Sequence, residues 1–501
     1  GDIGRPLPLA ATWSPNNNVP RGYQLDLIEQ GHHLLLCFRF PPSDTQWGTH
    51  ERGQKHRERY FQEYFAPALK RAAALRLPIC FQRLQFEMEL TREKRFWALP
   101  PEQNPNVIKL DGTVRKTLDP LGPIDPWRAL GREHTTREYM IRAQEVYPDP
   151  PLVFFLSNNE HTVLRPQEAE ASKRYVDAYG TGKDIAFRRR VFAEALVERY
   201  RAMQEAMREG LRQPVWKRNA KFLAYEAFGP SHVGRWYGWQ AHSYMTPARM
   251  DWGHLAWDGG SPSYYTHDWA AFTTDCTSAS MQVEIMNWVF MLRDVYEERP
   301  NFWFELSTWD GDTGKYLGKR EQYAGRGGQI FHADRYRGML QFGLWLLRPR
   351  ALRDFRYMET RAYAEPYFLA NVEAIDQVYR SPLLQRFWRT SRLVPNPNRK
   401  HPYQSALTET LKSEQRWYLL HTDLTPEAKP WGLYTELPVF ALARVKGEAP
   451  AREWLVYAHA PRGARTDVDV DLPGYGEIAI DVSISGSFYH VREQERSMAC
   501  V

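Results

Sequence analysis

Five consecutive apolar residues, Leu152 to Leu156, run straight into Ser157-Asn158-Asn159-Glu160, and no other stretch limits the fold as much. A strand with one wet face would alternate, so an unbroken run of this length predicts a parallel strand covered on both sides. Such a strand carries its polar residues at its C-terminal tip. A second stretch repeats the design: Asn301-Phe302-Trp303-Phe304-Glu305, followed by Leu306-Ser307-Thr308-Trp309-Asp310. Two strand-borne glutamates, Glu160 and Glu305, are therefore the leading candidates for chemistry.

Further apolar segments give a strand at Pro6 to Trp13, one at His33 to Phe40 and one at Leu77 to Phe86. After the Glu160 strand come Phe222 to Phe228, Gly253 to Asp258, the Glu305 strand, and Met339 to Leu346 as an eighth. Helical spacing fills the gaps at Arg21 to Gln30, Glu51 to Leu75, Thr136 to Glu145, Ile185 to Leu211, Ser278 to Glu298 and Ala364 to Arg389. Residues 91 to 133 read as a long irregular excursion. Eight strands alternating with helices predict a (β/α)₈ TIM barrel over residues 1–393. An open doubly wound sheet is the rival, but it would gather its polar groups at one switch point rather than at many strand tips. Val394 to Tyr403 reads as a linker, and the short alternating segments after it, Arg416 to His421, Glu453 to His459, Thr466 to Leu472 and Ile478 to Val491, predict an antiparallel β-sandwich over residues 404–501.

The two glutamates bring a family into view. Asn-Glu at the end of strand four with Glu at the end of strand seven, here Asn159-Glu160 and Glu305, resembles the clan A retaining glycoside hydrolases, over roughly residues 1–393. The resemblance implies a two-carboxylate double displacement. Glu160 would then be the general acid/base, Glu305 the nucleophile, and Asn159 the partner of the sugar 2-hydroxyl. Trp345, taken as the tip of strand eight, would lie under the sugar or else belong to the core. Glu226 and Asp258 are candidates for binding hydroxyls, and Trp13, Trp257, Tyr264 and Trp309 for stacking on neighbouring sugars. The nearest sibling activities are those of β-galactosidases, agarases and carrageenases.

Composition narrows the alternatives. Phe, Trp and Tyr make up 14% of the 501 residues, which suits sugar faces as well as cores. Net charge is +6, but 66 basic residues are interspersed with 60 acidic ones, so a nucleic-acid partner is not expected. No run of about 18 apolar residues would span a membrane. The start at Gly1 leaves export open, with a periplasmic or secreted location among the options, and a homo-oligomer is also left open. The four cysteines, Cys37, Cys80, Cys276 and Cys500, lack metal-ligand spacing and read as free thiols. No cofactor and no metal is expected. His232, His242, His254 and His267 match no zinc signature, yet they carry a second reading, a metal-dependent hydrolase. A non-catalytic carbohydrate-binding barrel is the third. Arg348, Arg350, Arg353 and Arg356 would either bind an anionic or sulfated glycan or form salt links around the barrel.

Overall fold

A computed structural model of the protein describes residues 4–15, 18–40, 51–158, 163–225, 253–265, 282–283, 285–309, 333–356, 361–399, 415–421, 437–461 and 463–501. Eight parallel strands form its centre: β1 (Leu9–Thr12), β2 (Leu36–Arg39), β3 (Ile79–Leu84), β4 (Val153–Ser157), β5 (Ala220–Ala224), β6 (Gly259–Gly260 with Ser263–Tyr265), β7 (Trp303–Trp309) and β8 (Ala351–Asp354). Each pairs with its sequence neighbour, and β8 pairs with β1. The ring closes where Ala10 bonds to the chain entering β2, through Ala10 N to His33 O at 2.9 Å and Leu35 N to Ala10 O at 2.8 Å. The predicted TIM barrel is the observed fold.

Strand β4 explains why unbroken apolar runs form such a ring. All of Val153–Ser157 is buried. Phe154 and Leu156 face the barrel interior, where Phe154 meets the Trp303 ring at 4.5 Å. Val153 and Phe155 face the helices, where Phe155 stacks on Phe81 at 5.8 Å and on Phe222 at 5.6 Å. Both faces are thus covered. The longest covering helix, Ile185–Gly210, starts where the Asp184 side chain accepts a hydrogen bond from Phe187 N, an N-cap.

Several elements differ from the sequence reading. The excursion at 91–133 is ordered: it holds part of the helix Phe86–Arg92, the helix Lys94–Trp97, a hairpin of Asn106–Ile108 and Val114–Leu118, and most of Asp125–Thr136. Gly253 to Asp258 is not strand six, since Gly253–Ala256 is helical and the strand follows at the two glycines. A Cβ on Gly259 would come within 2.3 Å of Trp303 O, so only glycine lets β6 lie this close to β7. Met339 to Leu346 is not strand eight. It belongs to the helix Ala333–Leu347, whose part from Gly338 on is buried on every side because β7 covers one side and the C-terminal sheet the other. Two glycines permit that double contact: a Cβ on Gly343 would crowd Leu306 and Tyr264, and one on Gly338 would crowd Ile484 and His459.

Beyond the barrel a five-stranded antiparallel sheet runs in the order Arg392–Leu393, Phe440–Lys446, Glu453–His459, Ser487–Arg492, Ser497–Cys500. The hairpin Arg465–Leu472 with Gly476–Val482 covers it across a core that includes Val456, Val470 and Ile480. The sequence reading merged Gly476–Val482 with Ser487–Arg492 and lacked Phe440–Lys446. Chain 392–396 is already bonded to this sheet, with Val394 N donating to Ala443 O at 3.0 Å. Among the described residues no helix is long and apolar enough to cross a membrane.

Arg444 ties sheet to barrel. Its Nε donates to Trp345 O at 2.6 Å and its Nη2 to Leu346 O at 3.2 Å, the last carbonyls of the helix Ala333–Leu347, while Nη1 donates to Ser391 O at 3.3 Å. A cation at a helix C-terminus complements both the orphan carbonyls and the dipole. Charged hydrogen bonds of this kind contribute about 1.5–3 kcal/mol each. We therefore expect Arg444→Met to lower the thermal midpoint by several degrees with the far-ultraviolet circular dichroism unchanged. A midpoint equal to that of the wild type would contradict the capping role.

Candidate active site

Side chains alternate along each strand, so the inner wall can be read from the register. Its middle layer is charged. Arg353 of β8 is fully buried, and Glu305 of β7, equally buried, takes its fork: Nε to Oε2 at 2.8 Å and Nη2 to Oε1 at 3.0 Å. The remaining acceptor capacity of Glu305 goes to Ser261 Oγ at 3.0 Å and Trp303 Nε1 at 2.9 Å. On its other side Arg353 Nη1 donates to Gln82 Oε1 at 2.7 Å, to Cys37 Sγ at 3.1 Å and to Thr12 O at 3.2 Å. A planar guanidinium with five donors is the one side chain that can serve so many strands at once.

The thiols join this network. Cys37 and Cys80 stand opposite each other on β2 and β3, and Arg353 Nη2 lies 3.7 Å from Cys80 Sγ. Burial pushes the Cys37 thiol up, but its hydrogen bond with Cys80 and the Arg353 charge outweigh burial and bring it down to about 6. Cys80 is driven the other way, by burial and then by its neighbour Cys37.

Above the charged layer, toward the C-terminal ends of the strands, the wall becomes aromatic. Trp13 Nε1 donates to Ser307 Oγ at 2.9 Å, and the Trp13 ring covers Arg353 at 5.4 Å. Tyr225 meets Trp13 edge-on at 5.6 Å, and its hydroxyl pairs with Ser263 Oγ at 2.7 Å. Tyr265 stacks on Phe355 at 6.0 Å and meets Trp309 at 5.6 Å. The indole Nε1 of Trp309 is buried with no hydrogen-bond partner among the described residues. A buried, unspent donor in an aromatic wall is what a ligand hydroxyl or carbonyl would satisfy.

The structure sorts the sequence candidates. Asn159, Glu160 and Glu226 lie outside the described residues, as do His232, His242 and His267; Asn158, just before them, donates its backbone N–H to Leu84 O at 2.9 Å. Trp13 and Trp309 come together in the aromatic wall. Glu305 is the third of seven residues of β7 rather than its tip, with Ser307 and Trp309 beyond it. Asp258 precedes β6, at the opposite end of the barrel from the aromatic wall, and pairs with Arg299 at 3.1 Å and Arg201 at 3.3 Å. Trp257 packs outside the barrel against Tyr200 at 5.0 Å. Tyr264 points outward to donate to Met339 O at 3.0 Å. Trp345 sits on a helix, edge-on to Trp388 and Phe488, both at 5.5 Å, which corrects its placement at a strand tip beneath a sugar.

The four arginines after the supposed eighth strand are also internal partners. Arg348 Nη1 caps Trp388 O at 2.7 Å, Arg350 covers Trp303 at 4.3 Å, and Arg356 pairs with Asp354 at 3.3 Å. His254 pairs with Glu298 at 3.0 Å, and no group of three metal-type ligands occurs among the described residues. Missed from the sequence were Tyr225, Tyr265, Phe355, Ser261 and the Arg353 network. No sequence signal marked Arg353, which stands among Arg350, Asp354 and Arg356.

Comparison with known proteins adds little to this geometry. No protein-family model matches the chain, and no curated protein does. Among solved structures it is similar to the GH30 endoxylanase from Clostridium papyrosolvens C71, with 9% identity over 98% of this chain and 95% of that one and a TM-score of 0.36. The barrel rests on its own strand pairing.

The lowered Cys37 pKa can be tested directly. A thiol pKa lowered from about 8.5 means the folded state binds fewer protons there, so the stabilisation is complete above the free-thiol pKa and is lost as pH falls through the folded value. The wild-type minus Cys37→Ser difference in thiolate ultraviolet absorbance should appear with a midpoint near pH 6. No difference signal at neutral pH would refute the assignment.

Proposed function

We propose that this protein is a glycoside hydrolase whose substrate lies across the C-terminal mouth of the barrel. The observation that carries the reading is the aromatic wall of Trp13, Tyr225, Tyr265, Trp309 and Phe355, drawn from β1, β5, β6, β7 and β8 and lying at the end of the barrel where (β/α)₈ active sites are built. Rings and a single unspent N–H suit the apolar faces and hydroxyls of a sugar chain. In sequence, Asn159-Glu160 comes one residue after the end of β4 at Ser157, which accords with the clan A resemblance.

In this reading Glu160 protonates the leaving oxygen and later activates water, while Asn159 holds the 2-hydroxyl. The role assigned to Glu305 changes. A nucleophile must offer a free lone pair to the anomeric carbon, whereas both Glu305 oxygens are filled by Arg353, Ser261 and Trp303, beneath Trp13. We assign Glu305 to positioning: it fixes Arg353 and, through Ser261 and Ser307, the Trp13 ring. The same burial favours one other reading, a carbohydrate-binding barrel without hydrolysis.

A panel of β-linked oligosaccharides and aryl β-glycosides separates the two. For the hydrolase, Glu160→Ala should lose about 10²–10⁴ in kcat, the usual worth of a general acid/base, and added azide should yield a β-glycosyl azide. Glu305→Gln should lose stability and activity together and give no α-glycosyl azide. Binding without cleavage by the wild type would select the binding barrel, and full activity in Glu160→Ala would end the assignment of that residue.

A further inference from the structure

A carboxylate with no exposed surface, that of Asp119, stands where several pieces of chain meet beside β4. Asp119-Pro120-Leu121-Gly122 is a turn by composition, with aspartate first, proline second and glycine fourth. The structure forms it: Gly122 N donates to Asp119 O and Leu121 N to Asp119 Oδ1, both at 2.9 Å. That turn uses one carboxylate oxygen. The other, Oδ2, accepts from Ser172 Oγ at 2.6 Å and from Arg174 Nη1 at 3.3 Å. The turn alone does not explain a buried carboxylate, since asparagine closes such turns equally well.

What this carboxylate joins lies on either side of Asn159-Glu160. The chain leaves β4 at Ser157, and Asn158 N donates to Leu84 O, at the end of β3, at 2.9 Å. The described chain resumes at Val163, bridged to Leu118, with Leu164 N donating to Leu118 O at 2.9 Å. Leu118 ends the hairpin strand Val114–Leu118, immediately before Asp119. Both anchors flanking residues 159–162 therefore belong to one continuous piece of chain, β3 and the excursion that leaves it. Asp119 locks that excursion to the chain beyond Leu164. Its partner Ser172 accepts from Tyr175 N as the N-cap of the helix Lys173–Tyr179, and its partner Arg174 lies in the first turn of that helix. Arg174 also closes back on the excursion, with Nη1 donating to Asn106 O at 2.9 Å and Nη2 to Asn104 O at 2.7 Å.

We propose that Asp119 is a positioning residue for the reaction: by pinning the hairpin to the chain beyond Leu164 it fixes the anchors on either side of Asn159-Glu160, an inference that rests on reading Glu160 as the general acid/base. A single bridge between Leu118 and Val163 sets little register by itself. The buried carboxylate sets it, because a shift of the hairpin by one residue would strip Asp119 of Ser172 and Arg174 and leave its charge uncompensated. A general acid must stay within about 3 Å of the oxygen it protonates, and a misplacement of about 1 Å can cost roughly 10²-fold in rate. The effect of Asp119 passes through Glu160 and leaves the aromatic wall as it is. It should therefore act on proton transfer rather than on sugar binding.

Leaving groups of different basicity separate proton transfer from everything else. A 2,4-dinitrophenolate departs without a proton, whereas a sugar hydroxyl must be protonated as it leaves. The test is kcat/KM, which reports the steps up to that departure, on a 2,4-dinitrophenyl β-glycoside and on an unactivated β-linked oligosaccharide of the same sugar. The proteins are the wild type, Asp119→Asn, Arg174→Gln, Glu160→Ala and Arg444→Met. Asp119→Asn keeps the turn, and Arg174→Gln breaks the same pair from its more exposed side, so the second decides if the first does not fold. We expect both to lose about ten-fold or more on the oligosaccharide and no more than about two-fold on the dinitrophenyl glycoside. Arg444→Met, destabilised far from β4, should affect the two substrates alike. Equal losses on both substrates, or no loss on either, in a variant that folds would overturn the assignment of Asp119. Glu160→Ala without such a leaving-group dependence, or a wild type that cleaves neither substrate, would instead refute the hydrolase reading beneath it.

Discussion

A guanidinium in the middle of a barrel is the constraint on which the rest of this structure turns. Removing an ion from water costs several kcal/mol even after relaxation, and only tight pairing offsets that cost. Arg353 meets the requirement by drawing one partner from almost every side: a carboxylate from β7, an amide and a thiol from β3, a thiol from β2 and a carbonyl from β1. Each of those contacts fixes the register of a strand. A one-residue slip in β7 would turn Glu305 out among the helices and leave the cation bare. Electrostatics thus sets the geometry that apolar packing alone would leave loose, and the Cys37 sulfur takes a hydrogen bond from Arg353 where Glu305 does not reach.

The same layer separates structure from ligand chemistry. The polar contacts of Arg353 are made within the barrel, although Gln82 Nε2 is buried without a hydrogen-bond partner among the described residues. One layer higher, Trp13 roofs the cation, and among the described residues the wall above it is rings and small hydroxyls, with the Trp309 donor unspent. A wall of that kind holds a ligand by faces rather than by charge.

Much of this was legible in the sequence because burial on both faces leaves unbroken apolar runs. Strands β1 to β5 and β7 fall within or beside the segments that such runs mark, and Glu453–His459 emerges with its observed bounds. What stayed hidden had physical causes. Strand β6 is two glycines and a short aromatic stretch, because the close approach of Trp303 leaves no room for side chains, and glycine pairs read as turns. Met339 to Leu346 carries no polar face, because it is a helix clasped between two sheets, and periodicity cannot tell such a helix from a buried strand. Trp345 followed that segment into the wrong role. Glu305 was placed on the right strand but two inward positions too high, since sequence shows that a residue is on a strand more readily than how far along the pairing extends. Arg353 was read as one of a cluster of surface cations because its partners are scattered over more than 300 residues of chain.

The central claim is that Glu305 and Arg353 form a structural pair, and a double-variant cycle in urea unfolding measures it most directly. Removing one partner of a buried pair typically costs about 3–5 kcal/mol, because the other charge is left uncompensated. Glu305→Gln and Arg353→Met should each fall in that range, and the double variant should lie much closer to either single than to their sum, with a coupling of at least about 1.5 kcal/mol. Two small losses that simply add would contradict the account and return Glu305 to the surface of a reactive site.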